Sequence, residues 1–164
     1  MLEAMHPFII FGAKYLVVLP ILVVAYLLIS LKASKRTELL LLLIVGGIFA
    51  LLSSKLGSHF YSDPRPFVSD HAVPLLTSAH DNGFPSDHTL LSAFLAFVVL
   101  AFSRKLGAVL LLAALLIGTA RVAAHVHHGV DVVGGFAGAA LAFALAYALI
   151  PLLRSHEKPA IDAE

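Results

Sequence analysis

The sequence predicts an all-α membrane bundle of about five transmembrane helices, folded as a single domain. Three observations carry that prediction. Hydrophobic residues make up 60% of the 164 positions and charged residues only 13%, a balance too apolar for a soluble domain. The apolar residues gather into five runs, each near the roughly 20 residues a spanning helix needs. The basic residues that interrupt them cluster after alternate runs, as in a polytopic chain of fixed orientation.

The runs follow in order. The first extends over about Pro7 to Leu31 and contains Lys14. Nothing before it resembles the basic region of a cleavable leader, so it reads as a retained helix. The second covers Leu39 to about His59, with Lys55 near its end. The third begins near Ser86 and stops at Ser103. The fourth covers Leu106 to about His125, and the fifth Asp131 to Leu153. Runs three and four reach spanning length only by including "SDH" and "RVAAH". Those polar residues are expected inside the bundle at one membrane edge.

Lys32, Lys35 and Arg36 follow run one, Arg104 and Lys105 follow run three, and Arg154 and Lys158 follow run five. With five spans these clusters share one side, which the positive-inside rule makes cytoplasmic. The N-terminus is then outside and the C-terminus cytoplasmic. Residues 1–153 form the membrane-embedded domain, and 154–164 form a polar cytoplasmic tail expected to be disordered. A net charge of +1 gives no reason to expect a nucleic-acid partner. The chain has no cysteine, which excludes disulfides and thiolate metal sites. Gly134 and Gly138 are spaced for close helix packing.

Lys14, Lys55, Arg65 and Arg121 lie toward the outer side, where the charge rule does not account for them. The connection from 60 to 85 is long, and rich in Pro, Asp, Ser and His. Such connections are usually functional or disordered; its turn residues suit an ordered loop. Three polar clusters fall on this side. In "SDPRPF", Pro64 and Pro66 stiffen the backbone around Arg65, and a fixed guanidinium suits an oxyanion. Alone, the stretch is also what a Pro-rich turn with a solvated Arg looks like. In "GFPSDHT", Ser86 or Asp87 suits an N-cap. A helix N-terminus also offers N–H groups and partial positive charge to a phosphate, with His88 in its first turn. The Asp87 carboxylate would repel that anion unless turned away.

The third cluster is "ARVAAHVHHGVD". His127 and Asp131 are four apart and share a face if the helix is continuous. A carboxylate there takes the Nδ1 proton and leaves Nε2 as base or nucleophile. Gly129 is a potential break, in which case a turn must make the pair. Arg121 is six residues before His127, so a bend is required to join them. His125 and His128 are three apart and free to share another face. A histidine-lined zinc site is the competing use of "HVHH" with Asp131, but two arginines beside it would repel a cation. Together the clusters suit an anionic group, most simply a phosphate.

In this order the clusters resemble the type 2 phosphatidic acid phosphatase superfamily of membrane lipid phosphatases, whose motifs are K-x6-R-P, P-S-G-H and S-R-x5-H-x3-D. Arg65-Pro66 resembles the first, Pro85 to His88 the second, and Arg121, His127 and Asp131 the third, with the second and third spacings kept. The likeness covers roughly residues 55 to 135. It departs at Ser58, where the family has lysine, at Asp87 for glycine, and at Ala120 for serine. Lys55, one turn earlier, and Lys14 are candidates to replace the lysine. "PRPF" with "FPSDHT" resembles the bacterial undecaprenyl-diphosphatase branch of the bacitracin-resistance type.

The resemblance implies a hydrolase acting on a lipid phosphoanhydride or phosphomonoester. His127 would be the nucleophile, Asp131 its orienter and His88 the acid and base. Arg65, Arg121, Ser86 and Asp87, with Lys55 or Lys14, fall at phosphate-binding positions. It implies no cofactor and no metal, the arginines supplying the positive charge. The implied partners are a polyprenyl or other lipid phosphate and the bilayer, with the site facing outward from a cell membrane crossed several times. Phosphatidic acid and phosphatidylglycerol phosphate are the alternative substrates, and a histidine-lined metal carrier or sensor is the non-enzymatic alternative.

Overall fold

The computed structural model describes residues 2–155, so the expected disorder of the tail concerns residues almost wholly outside it. Among the described residues the structure is all-helical: α1 (Leu2–Lys14), α2 (Val18–Ser30), α3 (Ala33–Phe60), α4 (Pro66–Ser69), α5 (Asp87–Leu100), α6 (Arg104–Ala123) and α7 (Gly129–Ser155). Residues 4–30, α3, α6 and α7 up to Pro151 are long and apolar enough to cross a membrane.

The first run is not one straight helix. It breaks at residues 15–17, where Tyr15 and Leu16 N–H both donate to the Phe11 carbonyl. Pro20, the third residue of α2, supplies the reason. It has no N–H for the Leu16 carbonyl and its ring crowds that carbonyl; Leu19 N–H takes it instead, at 3.0 Å. At the break the Ala13 carbonyl accepts from Arg121 Nη1 (3.4 Å), a link between the first span and the fourth.

α5 is 14 residues long, about 21 Å at helical rise, short for a hydrocarbon core of about 30 Å. It opens at Asp87, so the "SDH" extension adds less than the sequence suggests. α5 is the central helix, packed against α2, α3, α6 and α7, and nine of its residues from Thr89 to Val99 are buried. Helix neighbours cover most of it, with Leu91 left exposed, so its length need not match the bilayer closely.

Small residues let the bundle close. Ala93, Ala96, Ala114, Ala139, Ala142 and Ala146 are fully buried. A Cβ on Gly138 would lie 2.9 Å from Ser53 Oγ, and one on Gly135 would lie 3.0 Å from the Ser86 carbonyl. α7 thus approaches both α3 and α5 closely, as small-residue faces allow. Gly134 does something else: it makes room for the Phe84 ring, which comes from the loop and not from a helix. The outer surface is apolar, with Phe8, Ile29 and Phe60 about 80% exposed, as a lipid-facing surface requires.

Candidate active site

The long connection between α3 and α5 is built, not slack. Asn82 pins it. Its Oδ1 accepts from Asp63 N–H (2.9 Å) and Phe84 N–H (3.0 Å). Its Nδ2 donates to the Ser58 and Tyr61 carbonyls. Pro66 opens α4 at a position where its missing N–H costs nothing, and Arg65 before it is extended at φ −60°, ψ 152°, the region a following proline favours.

That backbone aims Arg65 inward, and its side chain is held by three groups. Nε donates to Asp81 Oδ1 at 2.8 Å, and Nη1 donates to the Val126 carbonyl at 2.9 Å and lies 3.2 Å from His127 Nε2. Asp81 is exposed, and its hydrogen bond from Arg65 keeps its carboxyl below the ordinary value. Arg121 arrives from the last turn of α6 with Nη2 3.2 Å from the same His127 Nε2. Its Nε is buried and has no partner among the described residues.

The six-residue interval from Arg121 to His127 closes through the end of α6. His125 N–H donates to the Val122 carbonyl (2.9 Å) and Val126 N–H to the Arg121 carbonyl (3.2 Å), the paired bonds of a Schellman cap. His125 takes the left-handed position there, at φ 57°, which glycine usually fills. The chain reverses and returns His127 beside Arg121.

α7 begins at Gly129, so His127 and Asp131 do not share a continuous helix. The pair forms across the helix start instead. Asp131, third in α7, accepts with Oδ2 from His128 N–H (2.9 Å), as an acidic third residue does in a capping box. The same Oδ2 lies 3.1 Å from His127 Nδ1. The carboxylate therefore holds the Nδ1–H tautomer and leaves the Nε2 lone pair facing two guanidiniums. Burial draws the His127 imidazole below the ordinary histidine value, the Asp131 hydrogen bond opposes this, and the two arginines add to the lowering.

A cavity of about 380 Å³ opens beside these groups, lined by Arg65, Arg121, His127, His88, Asp87 and Asp81 among others. His88, second residue of α5, is half-buried there. Asp87 is exposed, and Ser54 Oγ donates to its Oδ1 at 3.0 Å. Ser86 is placed otherwise than the sequence suggests. Its hydroxyl makes no cap bond and accepts from Thr89 Oγ1 (3.1 Å). Its N–H is occupied by the Asp131 carbonyl (3.0 Å), so it ties α5 to α7. Neither Lys55 nor Lys14 lines the cavity. Both are exposed, and Lys14 Nζ sits 5.2 Å over the Tyr15 ring. His125 is a cap residue and His128 faces away, toward Asp63 and Asp70.

Asp81, Asn82 and the Ala13 carbonyl were not foreseen from sequence. "DNG" marks a turn, but no interval reveals that Asp81 meets Arg65.

A buried histidine oriented by an aspartate and covered by two arginines defines an anion-directed membrane site. The model of the PAP2 superfamily matches residues 35–155, and the chain belongs to that family. It is 34% identical to undecaprenyl-diphosphatase BcrC of Bacillus subtilis over 67% of this chain and 57% of that one. It is 33% identical to the putative undecaprenyl-diphosphatase YbjG of Escherichia coli over 77% and 64%, respectively. The chain thus spans about three fifths of the length of these relatives. Among solved structures, LpxE of Aquifex aeolicus superposes with a TM-score of 0.64 at 23% identity, over 89% of this chain and 85% of that one. A phosphatidylglycerolphosphate phosphatase of Bacillus subtilis superposes with a TM-score of 0.59 at 24% identity, over 98% and 79%. These two establish a shared fold.

Proposed function

We propose that this protein is an integral membrane lipid diphosphate phosphatase that converts undecaprenyl diphosphate to undecaprenyl phosphate at the outer face of the membrane. One observation carries the reading: His127 Nε2 lies 3.2 Å from both the Arg65 and Arg121 guanidiniums while Nδ1 is held by Asp131. That geometry presents a nucleophile's lone pair where a phosphoryl group would be bound by two fixed cations.

His127 Nε2 attacks the terminal phosphorus, and the bond to the bridging oxygen breaks. His88 gives its proton to that oxygen, which leaves on the lipid monophosphate. Asp131 stabilises the imidazolium character that forms. His88 then takes a proton from water, which attacks the phosphohistidine and releases inorganic phosphate and free His127. Arg65 and Arg121 turn from Nε2 to the phosphoryl oxygens, where Arg121 Nε offers a further donor. Phosphoryl transfer depends mainly on such positioning and charge. The lipid class is supported by the apolar surround and by the names of the two curated relatives.

The test is phosphate release by purified protein from undecaprenyl diphosphate, phosphatidic acid and phosphatidylglycerol phosphate, with His127→Ala as blank. Preference for the prenyl diphosphate is expected. Equal turnover of all three reduces the claim to a broad lipid phosphatase, and turnover by His127→Ala overturns the nucleophile. Removing either guanidinium, Arg65→Ala or Arg121→Ala, is expected to cost about 100-fold or more in kcat.

A further inference from the structure

Beside the nucleophile's support lies a second polar cluster that the phosphatase reading does not use. Asp63, His128 and Asp131 each offer one potential ligand atom, and the three atoms lie within 4.8 Å of one another. Asp63 Oδ2 and His128 Nδ1 are buried 3.2 Å apart, and the buried Asp131 Oδ1 has no hydrogen-bond partner among the described residues. Asp131 is fully buried, and its other oxygen is already committed to His127 and His128. Orphaned buried polar atoms are costly one at a time. Two carboxylates and an imidazole meet here, and a cation held by all three would satisfy the Asp131 oxygen that the Asp63–His128 pair leaves unmet.

The surroundings are those of a formed site. The Asp63 backbone is fixed at both ends, its N–H by Asn82 and its carbonyl by Gly83 N–H (2.8 Å). Gly83 packs tightly against the cluster: a Cβ there would lie 3.0 Å from both Asp131 Oδ2 and the Asp63 carbonyl. His128 Nε2 faces Asp70 Oδ2 at 3.4 Å. Asp70 on Nε2 favours the Nε2–H tautomer, whose Nδ1 lone pair is free to bind a metal; such a carboxylate is the usual outer partner of a metal-bound histidine.

We propose that Asp63, His128 and Asp131 bind one divalent first-row cation, of the zinc or manganese kind. Two carboxylate oxygens and one imidazole nitrogen suit that class, and water completes the shell. The ion takes the Asp131 oxygen that His127 does not use, so it fixes the orienting carboxylate without touching Nε2 or a reacting atom. The phosphate charge stays with the arginines. The proposal concerns binding and holds whether or not the substrate is a prenyl diphosphate.

The experiment uses the detergent-purified full chain, freed of any purification tag and dialysed against chelator. Calorimetry with Mn2+ and with Zn2+ is expected to show one saturable site per chain. Bound ion should raise Tm by roughly 5 °C at a hundredfold excess over Kd. Asp63→Asn and His128→Ala should abolish both effects, Asp70→Asn should weaken binding about tenfold, and His125→Ala, at a neighbouring exposed histidine, should change neither. Absence of saturable binding by the unaltered chain overturns the site and leaves a proton as the shared ligand. Equal binding by Asp63→Asn and His128→Ala overturns it as well. Should those variants not fold, pulsed EPR of Mn2+ on the unaltered chain decides: coupling to one imidazole nitrogen supports the site, and none refutes it.

Discussion

His127 is the residue that Arg65, Arg121 and Asp131 all meet. Its imidazole is 2% exposed and is held below the ordinary histidine value chiefly by burial. It is therefore neutral, with its lone pair available, at neutral pH. A 15N imidazole titration in detergent, with His127→Gln for assignment, is expected to place its midpoint below 6.5. The folding linkage follows: the unfolded chain takes up this proton near 6.5 and the folded chain only at lower pH. Stability from this group is present above pH 6.5 and is lost as pH falls toward the folded value. Asp131→Asn removes the charge that selects the tautomer, and kcat should fall by about 10³-fold or more. His125 acts through the backbone alone. His125→Gly is expected to fold as well as the original, and His125→Val to lower Tm clearly, because a β-branched residue resists positive φ. This cap also shows the limit of reading intervals. Arg121 and His127 were recognisable by spacing as a family motif. That the six-residue gap closes through a left-handed histidine was not legible, because glycine ordinarily marks that turn.

At the scale of elements, contact geometry sorts glycines that look alike in sequence. Gly107, in the first turn of α6, faces the backbone of Leu100 at the end of α5, where a Cβ would lie 2.7 Å from the Leu100 nitrogen. Backbone cannot give way, so Gly107→Ala should cost about 3 kcal/mol and loosen the α5–α6 pair. Gly47 in α3 has nothing within 4 Å, and Gly47→Ala should add up to about 1 kcal/mol through helix propensity. Thermal denaturation of the two variants in one detergent tests both signs. The five apolar runs gave the order of the apolar segments, four of them long enough to span and α5 shorter, since composition alone marks a span. The ends were less legible. Run one holds two helices because Pro20 acts on a carbonyl four residues earlier, a local clash that an apolar count does not register. The connection from 60 to 85 revealed its turn residues but not its anchors, because the Asp81 bond and most of the Asn82 bonds join residues far apart in sequence.

For the whole molecule, the site's position fixes what orientation must mean. α6 starts at Arg104 and reaches the site at Arg121, while α5 starts at the site with Asp87 and ends at Leu100. The chain therefore crosses between them, short as α5 is, and Arg104 and Lys105 lie at the opposite end of the bundle from His127. Lys32, Lys35 and Arg36, at the turn from α2 into α3, fall at that same end, because α3 runs from them to the connection that carries Arg65. Arg154 lies in the last turn of α7, the helix that starts beside His127, and falls at that end too. Positive charge thus collects at the end away from the site, the end that the positive-inside rule predicts to face the cytoplasm. A diphosphate head group presented at the outer face would then reach Arg65 and Arg121 with its tail still in the bilayer. In intact cells, a C-terminal tag should resist added protease and become cleavable only after lysis, while one at the N-terminus should be cut from outside. A C-terminal tag cut in intact cells would invert the bundle, place the arginines on the cytoplasmic side and remove the basis for an external lipid substrate.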